Sequence, residues 1–213
     1  MSSPFAVEAT LAGVVRPAVL WWRGATVGER TDGLDAVIRQ VAAAVVAAPP
    51  ADVQAVREMY RRIGLDPTRT RPSSEALLRR VRRGDAFPRV NALVDAVNLC
   101  SLECQWPYGV YDRASVEGAV VLRLGRDGEQ YAGIRKDTVH VGGRVTVADE
   151  RGPFGNPSSD SARTMVTTAT RDALIVIYAP RDAATPALQR VLDLTATRVA
   201  VAVGGEEDAR WTA

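Results

Sequence analysis

Around Pro107 the hydrophobic periodicity of this chain changes from that of helices to that of strands. Upstream, apolar residues recur every three or four positions, as in Val53, Val56, Met59, Tyr60 and Ile63. Downstream come short β-branched runs, EGAVVLRLG (117–125), TVHVGG (138–143) and RVTVADERG (144–152), separated by glycine and charged turns. Helices gathered before strands, without βαβ alternation, exclude a doubly wound parallel sheet. They predict an α+β fold with helices packed on antiparallel sheets.

Punctuation refines this reading. Two short strands are expected around Gly13, with Pro17 marking an edge or bend. Asp32 is placed to cap a helix over 33–48, ended by Pro49-Pro50, and a second helix over 52–63 stops at Gly64. Ser73 or Ser74 is expected to cap a third helix over 75–83, and a fourth runs over 90–104. Tyr108-Gly109 reads as a turn leading to an extended segment from Asp112. SARTMVTTAT (161–170) and ALIVIYAP (173–180) read as strands, 184–203 as a last helix, and GGEEDARWTA as a polar tail. The 213 residues accommodate a single domain, and the motif-bearing region is about 50–180.

Composition excludes several classes. At 46% hydrophobic and 24% charged residues, with no apolar run long enough to span a bilayer, the chain reads as a globular protein without a membrane partner. The N-terminus shows no secretory pattern, so a cytoplasmic location is expected. The lone His140, beside Cys100 and Cys104, completes no zinc site, so neither metal nor cofactor is expected. The two cysteines share a helical face, which suits small buried apolar residues better than a thiol enzyme. A net charge of +2 does not force nucleic-acid binding. Arg69, Arg71, Arg79, Arg80, Arg82 and Arg83 are nevertheless concentrated in one stretch, which suits either a solvated helix face or a phosphate-binding patch.

The sequence NALVDAVNLCSLECQWPYGVYD (91–112), followed by VEGAVVLRLGRDGEQY, VTVADERGP and RTMVTTAT, resembles the B3/B4 editing domain of the bacterial phenylalanyl-tRNA synthetase beta subunit, and its free-standing members more closely still. The resemblance implies a three-layer fold and a pocket that receives a wrongly attached amino acid on the tRNA 3′ end, where water cleaves the ester. On the family's pattern, its Thr-Asn pair falls at Val97-Asn98, and the histidine of its His-Ala-Phe-Asp tail is replaced by Gly109, with Val110-Tyr111-Asp112 following. A glutamate that reads the tyrosine hydroxyl of the mischarged product falls at Thr167 or Thr168.

The implied reading is aminoacyl-tRNA editing by ester hydrolysis, without the determinants for tyrosine and without any synthetase core. The alternative is a non-catalytic module that holds an amino acid or an RNA end in the same pocket. Asn98 and the backbone around Gly155-Asn156 are candidates for stabilising an oxyanion, and Asp160 or Asp112 for a base unless each is a turn or cap residue. Val97, Gly109, Tyr111, Thr164, Thr167, Thr168 and Thr170 are candidate substrate contacts, with the break at Trp106-Pro107 facing the threonine segment across one cleft. The expected partners are a tRNA acceptor end, gripped by the arginines, or a small amino-acid ligand; DNA is not expected.

Overall fold

In the computed structural model of the chain, residues 5–48, 52–134 and 138–213 are described. The elements run β1 (Phe5–Val7), β2 (Val15–Arg23), α1 (Asp35–Ala47), α2 (Val53–Arg62), α3 (Ser73–Arg82), α4 (Ala92–Cys104), β3 (Tyr108–Asp112) and β4 (Val120–Leu124). They continue with β5 (Gln130–Tyr131), β6 (Val139–His140), β7 (Val145–Asp149), β8 (Gly152–Asn156), β9 (Ser159–Asp160), β10 (Ala173–Pro180), α5 (Thr185–Val203) and β11 (Glu206–Thr212).

Strand β10 has no polar side chain but the Tyr178 hydroxyl, and all its residues are buried. Such a strand needs neighbours on both edges and cover on both faces. It has them: it lies between β2 and β3 in the order β11-β2-β10-β3, all antiparallel. A second sheet, β1-β4-β7-β8-β9, is antiparallel except where β1 joins β4, and β5-β6 make a small ribbon. Tyr111 of β3 meets Phe154 of β8 edge to face, with ring centroids 4.9 Å apart, so the two main sheets meet at aromatic packing. Helix α4 packs against α1, α3 and α5, and nine of its residues are buried. The result is the α+β architecture read from the periodicity. No helix among the described residues is long and apolar enough to cross a membrane.

Several boundaries differ from expectation for identifiable reasons. Asp32 opens a short 3-10 turn (Asp32–Leu34), and α1 starts at Asp35 without a side-chain cap; Pro49-Pro50 lie outside the described residues. Ser73 and Ser74 sit inside the first turn of α3, where Pro72 holds the N-cap position. Pro17 lies in β2, between two partner strands, and is tolerated because the pairing with β11 ends beside it at Thr212–Ala18. Tyr108-Gly109 is already strand, and the polar tail is strand β11, whose Trp211 packs on Phe5 at 5.1 Å between ring centroids. The threonine-rich segment is not a strand. It forms a 3-10 turn (Ala162–Thr164) and then loops, held by side-chain-to-backbone bonds such as Thr167 N–H to Thr170 Oγ1 at 3.0 Å.

Candidate functional site

Helix α4 starts and stops at fixed points. Asn91 Oδ1 accepts from the Val94 N–H at 3.0 Å, an N-cap, and Asn91 Nδ2 reaches the Val166 carbonyl at 3.3 Å. At the other end Gln105 takes a left-handed conformation (φ 61°), which turns the chain out of the helix. The exit is then pinned: Ser101 Oγ donates to the Trp106 carbonyl at 2.7 Å, and the Pro107 carbonyl accepts from Tyr178 N–H at 2.9 Å. Asn98 and Ser101 of this helix form one wall of a cavity of about 260 Å³.

The opposite wall is the tight β8–β9 hairpin. Asn156 Oδ1 accepts from the N–H groups of Ser158 and Ser159 at 2.8 and 2.9 Å, while its Nδ2 donates to the Tyr131 hydroxyl at 2.9 Å. Tyr131 in turn donates to the Ser159 carbonyl at 2.6 Å, and the Tyr60 hydroxyl pairs with Ser158 Oγ at 3.1 Å. Ser73 N–H donates to the Pro157 carbonyl at 3.3 Å, which ties the first turn of α3 to the hairpin. Ser73, Ile134 and Tyr108 complete the lining with Pro157, Ser158, Ser159 and Asp160.

Three groups on these walls remain uncommitted among the described residues, one of them the Ser73 hydroxyl. The Asn98 carboxamide makes no hydrogen bond there, and Asp160 Oδ1 is shielded from solvent without a partner. Burial pushes the Asp160 carboxyl up to about 7, against the opposing pull of the Tyr111 hydroxyl. That hydroxyl is tightly placed. It lies 2.0 Å from where a Cβ on Gly109 would be and 2.2 Å from one on Gly155, and it is 3.1 Å from the Tyr178 hydroxyl. Only glycine at both positions leaves room for the ring.

The remaining expected site residues are distributed differently. Asn98, Asn156 and Asp160 come together at the cavity, but the Asn156 amide is spent on holding the hairpin. Val97 is buried in the core, not on the cavity wall, and Gly109 and Tyr111 sit behind it at the sheet junction. The threonines do not face Asn98. Thr164 is buried beside the Phe154 carbonyl, and Thr170 Oγ1 donates to Asp112 Oδ2 at 2.8 Å. Thr167 and Thr168 line a separate cleft with Arg30 and Arg89. Asp112 also caps a 3-10 turn through Ala114 N–H at 3.0 Å, so both its oxygens are in structural use. Cys100 is buried, and burial raises both thiols, Cys104 to about 12, which removes a thiolate from consideration. His140 is exposed on β6 between buried Val139 and Val141.

The arginines divide as well. Arg80 Nε donates to the Ala86 carbonyl, Arg83 pairs with Asp85 at 2.8 Å, and Arg71 lies 3.8 Å from Glu75. Arg69 is largely exposed, 3.8 Å from Asp66, and Arg79 and Arg82 make no ion pair among the described residues. Sequence reasoning missed Ser73, Ser158 and Tyr108 as cavity residues. The one available signal was the PSS repeat, at 72–74 and again at 157–159, whose two copies are in contact.

Residues 55–198 match the B3/4 domain family. Over 65 residues, 30% of this chain, the sequence is 40% identical to the phenylalanine–tRNA ligase beta subunit of Paramagnetospirillum magneticum, covering 8% of that protein. Over 173 residues, 78% of the chain, it is 25% identical to the corresponding subunit of Pseudomonas syringae pv. syringae, covering 21% of it. The chain thus spans about a fifth or less of the length of these relatives. Among solved structures, an N-terminal fragment of the phenylalanyl-tRNA synthetase beta subunit from Pyrococcus horikoshii superposes with a TM-score of 0.50. The match covers 98% of this chain and 53% of the fragment at 14% identity, a likeness of fold alone.

Proposed function

The chain belongs to the B3/4 domain family, and from that premise we propose that its cavity hydrolyses an aminoacyl ester carried on the acceptor end of a tRNA. The observation that carries this reading is the pairing, in one cavity, of an uncommitted carboxamide with a carboxyl group that titrates near neutrality. A general base works best when its pKa is close to the working pH, and Asp160 at about 7 meets that condition. In the step envisaged, the Asp160 carboxylate takes a proton from water as the water oxygen attacks the ester carbonyl. Asn98 donates a hydrogen bond to the oxyanion that forms. Collapse of the tetrahedral intermediate breaks the bond to the ribose oxygen, which recovers the proton from Asp160. Arg69, Arg79 and Arg82 are the cations left to hold tRNA phosphates.

Deacylation of a panel of mischarged tRNAs tests the proposal. Asp160→Asn is expected to lower the rate on the order of 10²- to 10⁴-fold. Asn98→Ala should lower it on the order of 10²- to 10³-fold. Both variants should remain folded. No turnover above buffer for any tRNA would overturn hydrolysis.

A second reading, retention of an amino acid or RNA end without cleavage, is favoured by one observation: the Asn156 side chain, which could have served the oxyanion, is held by the hairpin through Oδ1 and gives one of its two N–H donors to Tyr131. A free amino acid that raises the melting temperature of a protein inactive on every ester would select this reading.

A further inference from the structure

We infer that the amino acid accepted by this cavity is small and carries a hydrogen-bonding side chain, a hydroxyl or a carboxamide, and that Ser73 reads that group. The inference rests on the cavity being the aminoacyl site proposed above. Three observations carry it.

The first is size. About 260 Å³ lies below the roughly 300 to 1,000 Å³ of ordinary ligand pockets. The Tyr111 hydroxyl interacts with Asp160, although Tyr111 is not itself part of the lining. That hydroxyl is wedged over Gly109 and Gly155, so the junction of the two sheets offers an acyl side chain no further recess.

The second is the chemistry of the walls. Ligand pockets are mostly apolar, but here, among the described residues, Ile134 and Pro157 are the only aliphatic side chains in the lining, and serines and asparagines make up most of the rest. A hydrocarbon side chain would cover the polar groups left without a protein partner, the Asn98 carboxamide among them, and return no hydrogen bond. A hydroxyl or carboxamide can replace them.

The third is Ser73 itself. Most cavity hydroxyls already have bonds: Ser101 to the Trp106 carbonyl, Ser158 to Tyr60, Tyr108 to Thr195. Ser73 Oγ has no partner among the described residues and is closed off from solvent, although its residue lines the cavity. An isolated buried hydroxyl is costly, and a serine hydroxyl re-aims by rotation about one bond. The hydrolytic step leaves Ser73 idle, so it is available for recognition. Its place in the first turn of the ten-residue α3 adds the partial positive charge of a helix start, which suits an acceptor oxygen on the ligand.

Threonine and valine are near-isosteres that differ by the hydroxyl, so they supply the test. Wild-type protein is expected to deacylate threonyl-tRNA about 10- to 100-fold faster than valyl-tRNA, and phenylalanyl-tRNA more slowly than either. Ser73→Ala should bring the threonyl rate towards the valyl rate while leaving the valyl rate within about threefold, and Ser73→Thr, which keeps a hydroxyl, should restore the preference. Equal cleavage of threonyl and valyl esters, a preference untouched by Ser73→Ala, or phenylalanyl cleavage as fast as threonyl would each overturn the inference. If wild type cleaves no ester, hydrolysis fails on its own account, and melting temperatures with free amino acids decide this point. Stabilisation by threonine over valine that Ser73→Ala abolishes supports the inference. Equal or absent stabilisation by the two sinks it.

Discussion

At the scale of single residues, Tyr111 and the two glycines around it exert the tightest control on the site. A Cβ at position 109 would fall 2.0 Å from the Tyr111 hydroxyl oxygen, far inside van der Waals contact, and the ring is fully buried with Phe154 against its edge. Gly109→Ala is therefore expected to destabilise the protein by about 1–3 kcal/mol through overpacking. In a Tyr111→Ala background the same change should cost far less, because the clashing atoms are gone. Urea denaturation of the four proteins of this cycle checks it, and equal costs in both backgrounds would show that the clash is not the cause. Asp160 makes a second prediction, with a definite sign. Its carboxyl is raised from 3.8 to about 7 in the folded protein. As pH rises through that window the unfolded chain gives up this proton first, so folding loses stability between about 4 and 7 and stays lower above it. Asp160→Asn should consequently match wild type in stability at pH 4 and exceed it at pH 8, while losing nearly all hydrolysis. Wild-type activity should rise with pH through about 7 as the carboxylate forms. Tyr111→Phe, which removes a group that holds the carboxyl down, should move that rise to higher pH.

At the scale of elements, the helices were legible because their signals are local. Apolar spacing and Gly64 placed α2 to within a residue or so, and the helix expected over 90–104 forms as Ala92–Cys104, with a cap, Asn91, that the reading did not single out. The β-branched runs after Pro107, separated by glycine and charged turns, became strands for the same reason. The failures share another cause. Alternating threonines read equally as a strand face or as a loop whose hydroxyls bond its own backbone, and only the position of Asp112, 58 residues before Thr170, decides between them. Likewise β11 looks polar because it is exposed along much of its length, and it becomes a strand only because β2 offers an open edge. For the site, Asn98, Asn156 and Asp160 were identifiable as residues, but their roles depend on which hydrogen bonds are already spent, which no spacing encodes. Asn91 gives the prediction at this scale. It caps α4 with Oδ1 and anchors the loop at Val166 with Nδ2. Asn91→Ala should cost about 1–3 kcal/mol in urea denaturation, whereas Asn91→Asp, which keeps the cap and loses the second bond, should cost less. If the two cost the same, the cap is not what matters.

At the scale of the whole molecule, α3 joins the cavity to the basic surface. Its first residue lines the cavity, and Arg82 ends it about 13 Å further on at 1.5 Å per residue. A strand of RNA whose 3′ end enters the cavity would therefore meet Arg79 and Arg82 a few nucleotides back from the ester. These two are the cations of the helix without an ion pair among the described residues, whereas Arg80 and Arg83 are tied to the loop that follows. The division yields a prediction that separates grip from chemistry. Replacing Arg79 and Arg82 with alanine should weaken tRNA binding. It should also flatten the dependence of log affinity on log salt by about 0.7 for each phosphate no longer neutralised. The same double variant should cleave a short aminoacyl-adenosine ester, which cannot reach α3, at the wild-type rate. Replacing Arg80 and Arg83 instead should leave the salt slope nearly unchanged and lower the melting temperature, because their work is structural. An unchanged slope in the Arg79/Arg82 variant would move the RNA off this helix and onto another face, with the cavity chemistry standing or falling independently.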